Sequence, residues 1–130
     1  SVDTKRDIAE IIGNICGPQH DRFRDEVILA QRNQIKLYVL VENADGVSTL
    51  ADLDRWENPR AKMKKWIRGE DGSRKQVPVS PNATKGSTLA KAMRTMQEEY
   101  DVRFLFCRPE ETGREILELL GAMENGKKEK

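Results

Sequence analysis

Leu37-Tyr38-Val39-Leu40-Val41 is an uninterrupted apolar run, rich in β-branched and aromatic side chains, closed by Glu42-Asn43 and the turn signal Asp45-Gly46. A strand with one solvated face alternates polar and apolar residues, whereas a run without alternation fits a strand buried on both faces, as in parallel sheets. Parallel neighbours need long crossover connections, so helices should bracket this segment. Upstream, Ile8, Ile11, Ile12 and Ile15 recur at i, i+3, i+4 and i+7, which predicts an amphipathic helix stopped by Gly17-Pro18. Phe23, Val27 and Ala30 predict a second helix from Asp21 to about Asn33.

Downstream, Thr49 to Trp56 reads as a short helix capped by Ser48 or Thr49 and ended at Asn58-Pro59. Thr88 is the predicted N-cap of a helix with Leu89, Ala92, Met93 and Met96 on its core face, and Val102 to Cys107 reads as a strand. Glu110 to Met123 is the predicted last helix, with Ile116, Leu117, Leu119 and Leu120 inward, followed by a charged, flexible tail over 124–130. With Val2 to Lys5 as the opening strand, the order predicts an α/β domain over 1–130, its mixed or parallel sheet flanked by helices on both faces. Three strands make a thin sheet and the chain opens directly on one, so further strands are expected upstream.

The middle loses this rhythm. Pro59 to Lys85 holds Arg60, Lys62, Lys64, Lys65, Arg68, Arg74, Lys75 and Lys85 against Glu70 and Asp71, with prolines and glycines between, which predicts a basic loop or arm. Clustered Lys and Arg suit phosphate, and Trp66 among Lys64, Lys65 and Arg68 suits stacking on an unpaired base. The bland alternative is a solvated arm anchored by Trp66. The whole chain carries 23 Lys plus Arg against 22 Asp plus Glu, a net charge of +1, so any nucleic-acid contact must come from such local segregation.

Other classes are excluded more directly. At 130 residues, 37% apolar and 35% charged, with a mean hydropathy of −0.73, the chain suits one small soluble domain. No apolar run approaches the roughly 20 residues of a membrane span, and Ser1-Val2-Asp3 does not open a signal peptide, which points to a cytoplasmic protein. Cys16 and Cys107 lie far apart in apolar segments and read as small buried hydrophobes. A single histidine, His20, excludes a His-rich metal centre.

Asp3-Thr4-Lys5 is the short feature that bears on chemistry. Residues two apart on a strand share a face, and a carboxylate beside an ammonium can hold a divalent cation at a phosphodiester while neutralising charge that develops on it. Alone the triplet is not diagnostic, because with 22 acids and 11 lysines among 130 residues it arises about twice by chance, and the bland alternative is a surface ion pair on an edge strand.

Its context adds information. Val2-Asp3-Thr4-Lys5, Ile8 with Glu10-Ile11-Ile12-Gly13-Asn14-Ile15, Arg22-Phe23-Arg24-Asp25-Glu26 and Leu37-Tyr38-Val39-Leu40-Val41-Glu42 together resemble the nuclease domain of the XPF-type structure-specific endonucleases. In that family a strand with Glu-Arg-Lys precedes a helix with an early acid, a Gly-Arg-Phe turn and a strand ending in Val-Glu or Ile-Glu. Trp56-Glu57-Asn58-Pro59-Arg60, Gly86-Ser87-Thr88-Leu89, Tyr100-Asp101-Val102-Arg103-Phe104 and Phe106-Cys107 resemble its compact bacterial and prophage branch. The likeness spans nearly the whole chain.

The resemblance implies a restriction-endonuclease-like core that cleaves DNA with Mg²⁺ or Mn²⁺, at branched or flapped structures or single-strand/double-strand junctions, and allows for a homodimer. By position Asp3 takes the place of the family's metal-binding glutamate and Lys5 that of its catalytic lysine, while Thr4 stands where arginine is usual. Glu10 lies one position later than the family's helix acid, and Glu42 ends the neighbouring strand, where it either reaches the metal, orients Lys5 or is a helix-facing or solvated charge at a strand terminus. Arg22 is expected near the site, and Arg22, Arg24, Arg60, Lys62, Lys64, Lys65, Trp66 and Arg68 are expected on DNA. The family's second essential carboxylate belongs to a Gly-Asp pair on an upstream strand that this sequence does not include. A DNA-binding or assembly module that keeps the fold without cutting is therefore the rival reading.

Overall fold

The computed structural model of the chain describes residues 1–78 and 83–128, with side chains described for 1–77 and 83–121. Its elements are β1 (Val2–Lys5), α1 (Ile8–Ile15), α2 (His20–Arg32), β2 (Leu37–Glu42), α3 (Leu50–Asp54), β3 (Lys64–Arg68), β4 (Arg74–Pro78), α4 (Gly86–Glu99), β5 (Val102–Cys107) and α5 (Thr112–Lys128). Single 3-10 turns at Pro59–Ala61 and Pro109–Glu111 precede β3 and α5.

The three strands expected from the apolar segments form one parallel sheet in the order β1-β2-β5, which makes the Leu37–Val41 run the central strand. Both crossovers step across the sheet in the same direction. The right-handed rule for such connections then sends α1, α2 and α4 to the same face. Strand alternation and register put Asp3, Lys5, Val39, Val41, Val102, Phe104 and Phe106 on that face, where the apolar members join Ile8, Ile11, Ile15, Phe23, Val27, Leu89 and Met93 in the core. Tyr38, Leu40, Glu42, Arg103, Leu105 and Cys107 share the opposite face. Helices thus lie unequally on the two faces, α1, α2 and α4 with α3 packed on α4 on one and α5 on the other, tethered there by the Thr112 hydroxyl on the Glu42 carboxylate.

Local signals account for the helix ends. Asp7 caps α1 by accepting the Glu10 N–H at 2.8 Å, and Thr49 caps α3 by accepting the Asp52 N–H at 3.1 Å. α4 starts two residues before Thr88, at Gly86, for a packing reason: a Cβ on Gly86 would lie 2.2 Å from the Leu53 carbonyl oxygen and 2.6 Å from that of Trp56. Only glycine lets α3 and α4 approach this closely.

Four expectations need correction. The basic arm is not a loop, because Lys64–Arg68 and Arg74–Pro78 pair antiparallel as a hairpin; its residues 79–82 lie outside the described ones. Leu117 and Leu120 point outward on α5, 71% and 45% exposed. The backbone of α5 continues helically to Lys128, through most of the expected tail, of which 129 and 130 lie outside the described residues. Cys107 is buried as expected, but Cys16 is exposed. Among the described residues no helix is long and apolar enough to cross a membrane.

Candidate functional site

β1 is short, yet it brings two opposite charges together. Asp3 and Lys5 project to the helix-covered face, and Lys5 Nζ lies 3.1 Å from Asp3 Oδ2. The Lys5 stem is buried against the core, with Nζ 5.4 Å from the centroid of the Phe23 ring, so its ammonium is held at a fixed place. Phe23 is itself a core residue, as its helical phase predicted.

These side chains open into a pocket of about 370 Å³ lined also by Asn14, Gln19, Arg22 and Glu26. Asn14 closes α1 on the side of its apolar stripe, and its Oδ1 is buried with no hydrogen-bond partner. Glu26 lies one turn along α2 from Arg22, whose Nε is 3.6 Å from Glu26 Oε1. The pocket therefore pairs two carboxylates with two cations and adds an orphaned amide oxygen. Every potential metal donor in it is oxygen, the class that Mg²⁺ and Mn²⁺ favour.

The set expected from the sequence is not the set assembled. Asp3 is beside Val39 in the sheet, whereas Glu42 lies three residues further along β2, about 10 Å away along the strand, and faces the opposite side. There it is bonded by Thr112 and sits with Glu111 and Glu115 around Cys107, whose thiol is pushed up chiefly by burial and further by these three carboxylates, partly offset by its contact with Thr112. Glu10 is also turned away from Asp3, because its carboxylate accepts from the Arg6 backbone N–H and Nε at 3.4 and 3.2 Å. Among the described residues no three His, Cys, Asp or Glu side chains converge as a metal group. Arg22 lines the pocket with Asp3 and Lys5. Arg24 lines a different one, about 490 Å³ between α2 and α4, which also holds the exposed His20.

Glu26, Asn14 and Gln19 were missed by the sequence reading, although two of them carried a signal. Glu26 falls between Phe23 and Val27, at the margin of the buried stripe of α2, and Asn14 lies at the margin of the isoleucine stripe of α1, three residues after Ile11. A polar group in an apolar phase breaks the local pattern, and such breaks concentrate at functional sites.

The predicted DNA-contact residues form a second region. Arg60 lies within the 3-10 turn before β3 and Lys62 follows it, Lys62 being engaged by the Glu57 carboxylate. Lys64, Lys65, Trp66 and Arg68 are all exposed on β3. The hairpin projects as a separate two-stranded sheet, and its root is clamped by Asn58, whose Nδ2 donates to the Thr84 carbonyl at 2.9 Å while its Oδ1 accepts the Arg60 N–H at 3.1 Å. Trp56 is spent differently: its indole N–H donates to Asp45 Oδ2 at 3.1 Å, which binds the loop after β2 to α3. Compared with family models, curated proteins and solved structures, the chain matches none.

Proposed function

We propose that this chain is a DNA-binding domain of the XPF-type nuclease kind, with a restriction-endonuclease-like core, that hydrolyses phosphodiester bonds at the Asp3–Lys5 pocket, on branched or flapped DNA. The observation that carries the reading is the Asp3–Lys5 pair: one carboxylate and one ammonium 3.1 Å apart on one strand, with Lys5 anchored over Phe23 and Arg22 and Glu26 beside them.

A divalent cation in this pocket would be held by the Asp3 and Glu26 carboxylates, with the unpartnered Asn14 Oδ1 as a further oxygen close by. When bound, Mg²⁺ or Mn²⁺ supplies Lewis acidity and lowers the pKa of water. The chain's own groups do the remainder. Lys5 neutralises charge on the non-bridging phosphate oxygens, which grows as a water oxygen bonds to phosphorus and the bond to the leaving oxygen breaks. Arg22 offers a guanidinium fork to the same phosphate, and moving onto it would free Glu26 from its present partner.

The test is cleavage of a labelled flap substrate by wild type and Lys5→Met in Mg²⁺. Losing a preorganised charge of this kind lowers turnover on the order of a hundredfold. Equal cleavage by the two proteins rejects the assignment. A second reading, DNA binding or assembly without cleavage, is favoured by the separation of Glu42 and Glu10 from Asp3. It predicts DNA binding by the wild type with no cleavage in either metal.

A further inference from the structure

We propose that the β3–β4 hairpin is a single-stranded nucleic-acid reader that works through one of its two faces, the one carrying Lys64, Trp66, Arg68, Arg74 and Gln76. This rests on nucleic acid as the partner and not on cleavage.

The faces follow from register. Trp66 pairs with Gln76 and Arg68 with Arg74 across the hairpin, while Lys65 pairs with Val77 and Ile67 with Lys75. Directly paired residues point the same way and successive ones alternate, so the first set shares one face with Lys64, and the second set shares the other. Trp66, 64% exposed, therefore has a cation on either side along its own strand, each about 7 Å away. A third, Arg74, lies diagonally across the strands. A base stacked on the indole would have its flanking phosphates over guanidinium and ammonium groups.

Two features of the unbound hairpin point to an anion. Arg68 and Arg74 stand directly opposite each other, an arrangement that destabilises a strand pair unless something neutralises it. Among the described residues no carboxylate lies within ion-pairing distance of Lys64, Lys65, Arg68, Arg74 or Lys75, so all five hairpin cations are unpaired, whereas Lys5, Arg6, Arg22, Lys36, Arg55, Lys62, Arg94, Arg108 and Arg114 each have a carboxylate partner. The acids of the connecting loop do not serve. Asp71 instead fixes the turn, accepting the Ser73 hydroxyl at 2.6 Å and its N–H at 3.1 Å, next to Gly72 at φ +82°.

Single strands are preferred over duplex because stacking needs a base with a free face, which a duplex buries. A membrane surface is disfavoured by the same register. Trp66 and Ile67 lie on opposite faces, so the exposed apolar groups of β3 do not unite into one insertable surface.

Binding of fluorescein-labelled dT20, a 20-bp duplex and phosphatidylserine vesicles to the full chain in EDTA tests this, with circular dichroism of each variant as the folding control. The expected result is tighter binding of dT20 than of duplex. Trp66→Ala should weaken dT20 by about tenfold and Trp66→Phe much less, as stacking requires. Arg68→Gln with Arg74→Gln should cost more affinity and more of the salt dependence than Lys65→Gln with Lys75→Gln. Unchanged dT20 affinity in a folded Trp66→Ala protein, equal losses from the two faces, or binding of vesicles but not of dT20 would each overturn the proposal. Since no metal is present, binding that meets these expectations stands even if the protein never cleaves DNA. Conversely, cleavage lost in Lys5→Met but indifferent to Trp66 would leave the pocket assignment intact and remove this one.

Discussion

Asn58 and Thr84 are 26 residues apart in the chain, yet the Asn58 amide donates to the Thr84 carbonyl at 2.9 Å, closing the root of the basic hairpin like a clasp. The other half of the same amide accepts the Arg60 N–H. Asn58 is nearly buried, so truncation leaves both backbone groups without their partner. Asn58→Ala should therefore cost about 1–3 kcal/mol, read by urea unfolding. It should also raise hydrogen exchange of the β3 and β4 amides more than that of β2, because a two-stranded hairpin is marginal on its own.

Gly86 is the point at which α4 meets α3. A methyl group there would sit 2.2 Å from the Leu53 carbonyl, against backbone that cannot rotate away. Gly86→Ala should destabilise by about 3 kcal/mol or more, at the upper end of overpacking effects, visible as a lower midpoint in urea. Gly113→Ala is the control, since nothing lies within 4 Å of its added carbon.

The sheet was legible because β2 and β5 are nearly continuous apolar runs and α1 is a clean isoleucine stripe, all consequences of burial. The hairpin was not, for the converse reason. All of β3 is exposed, so no apolar alternation marked it, and the Asp71-Gly72 turn signal lay inside a segment dominated by charge. The pairing of Asp3 with Lys5 followed from period two on a strand. The exclusion of Glu42 followed from the same period applied to β2, but only once the register with β1 was known, since one residue of slip reverses every face. Glu26 comes from a helix that the chain passes before β2 is laid down, and its nearness to Asp3 is a tertiary fact.

Asp54 gives a pH-dependent prediction. Its carboxylate takes both guanidinium N–H groups of Arg94, at 3.1 and 2.7 Å, which hold its pKa below the ordinary aspartate value. A depressed folded pKa stabilises above the unfolded value, near pH 4, and that stabilisation is lost as pH falls through the lower folded value. Wild type should thus melt higher than Asp54→Asn at pH 6. The gap should close as the pH is lowered from about 4, and melting curves across that range will read it.

The two cysteines should separate by accessibility. Cys16 is exposed at the end of α1, whereas Cys107 is buried; partial burial pushes both thiols up, so access and not acidity separates them. Brief iodoacetamide treatment of native protein at pH 8 should label Cys16 alone, with Cys107 reacting only after urea is added. Peptide mass spectrometry distinguishes the sites, and early labelling of Cys107 would contradict its place under α5.

Glu26 and Glu42 invert the expectation drawn from sequence. Glu42 ends a strand next to β1 and appeared able to reach Asp3, but it faces the other side of the sheet and holds α5 through Thr112. Glu26 shares a pocket with Asp3. If the pocket takes a divalent cation, Glu26→Gln should weaken Mn²⁺ binding, measured by calorimetry, by about 10- to 100-fold and reduce flap cleavage in parallel. Glu42→Gln should leave both unchanged and instead lower the melting temperature, through the weakened tether of α5. A Glu42→Gln protein that loses metal affinity while Glu26→Gln keeps it would return the site to the opposite face of the sheet.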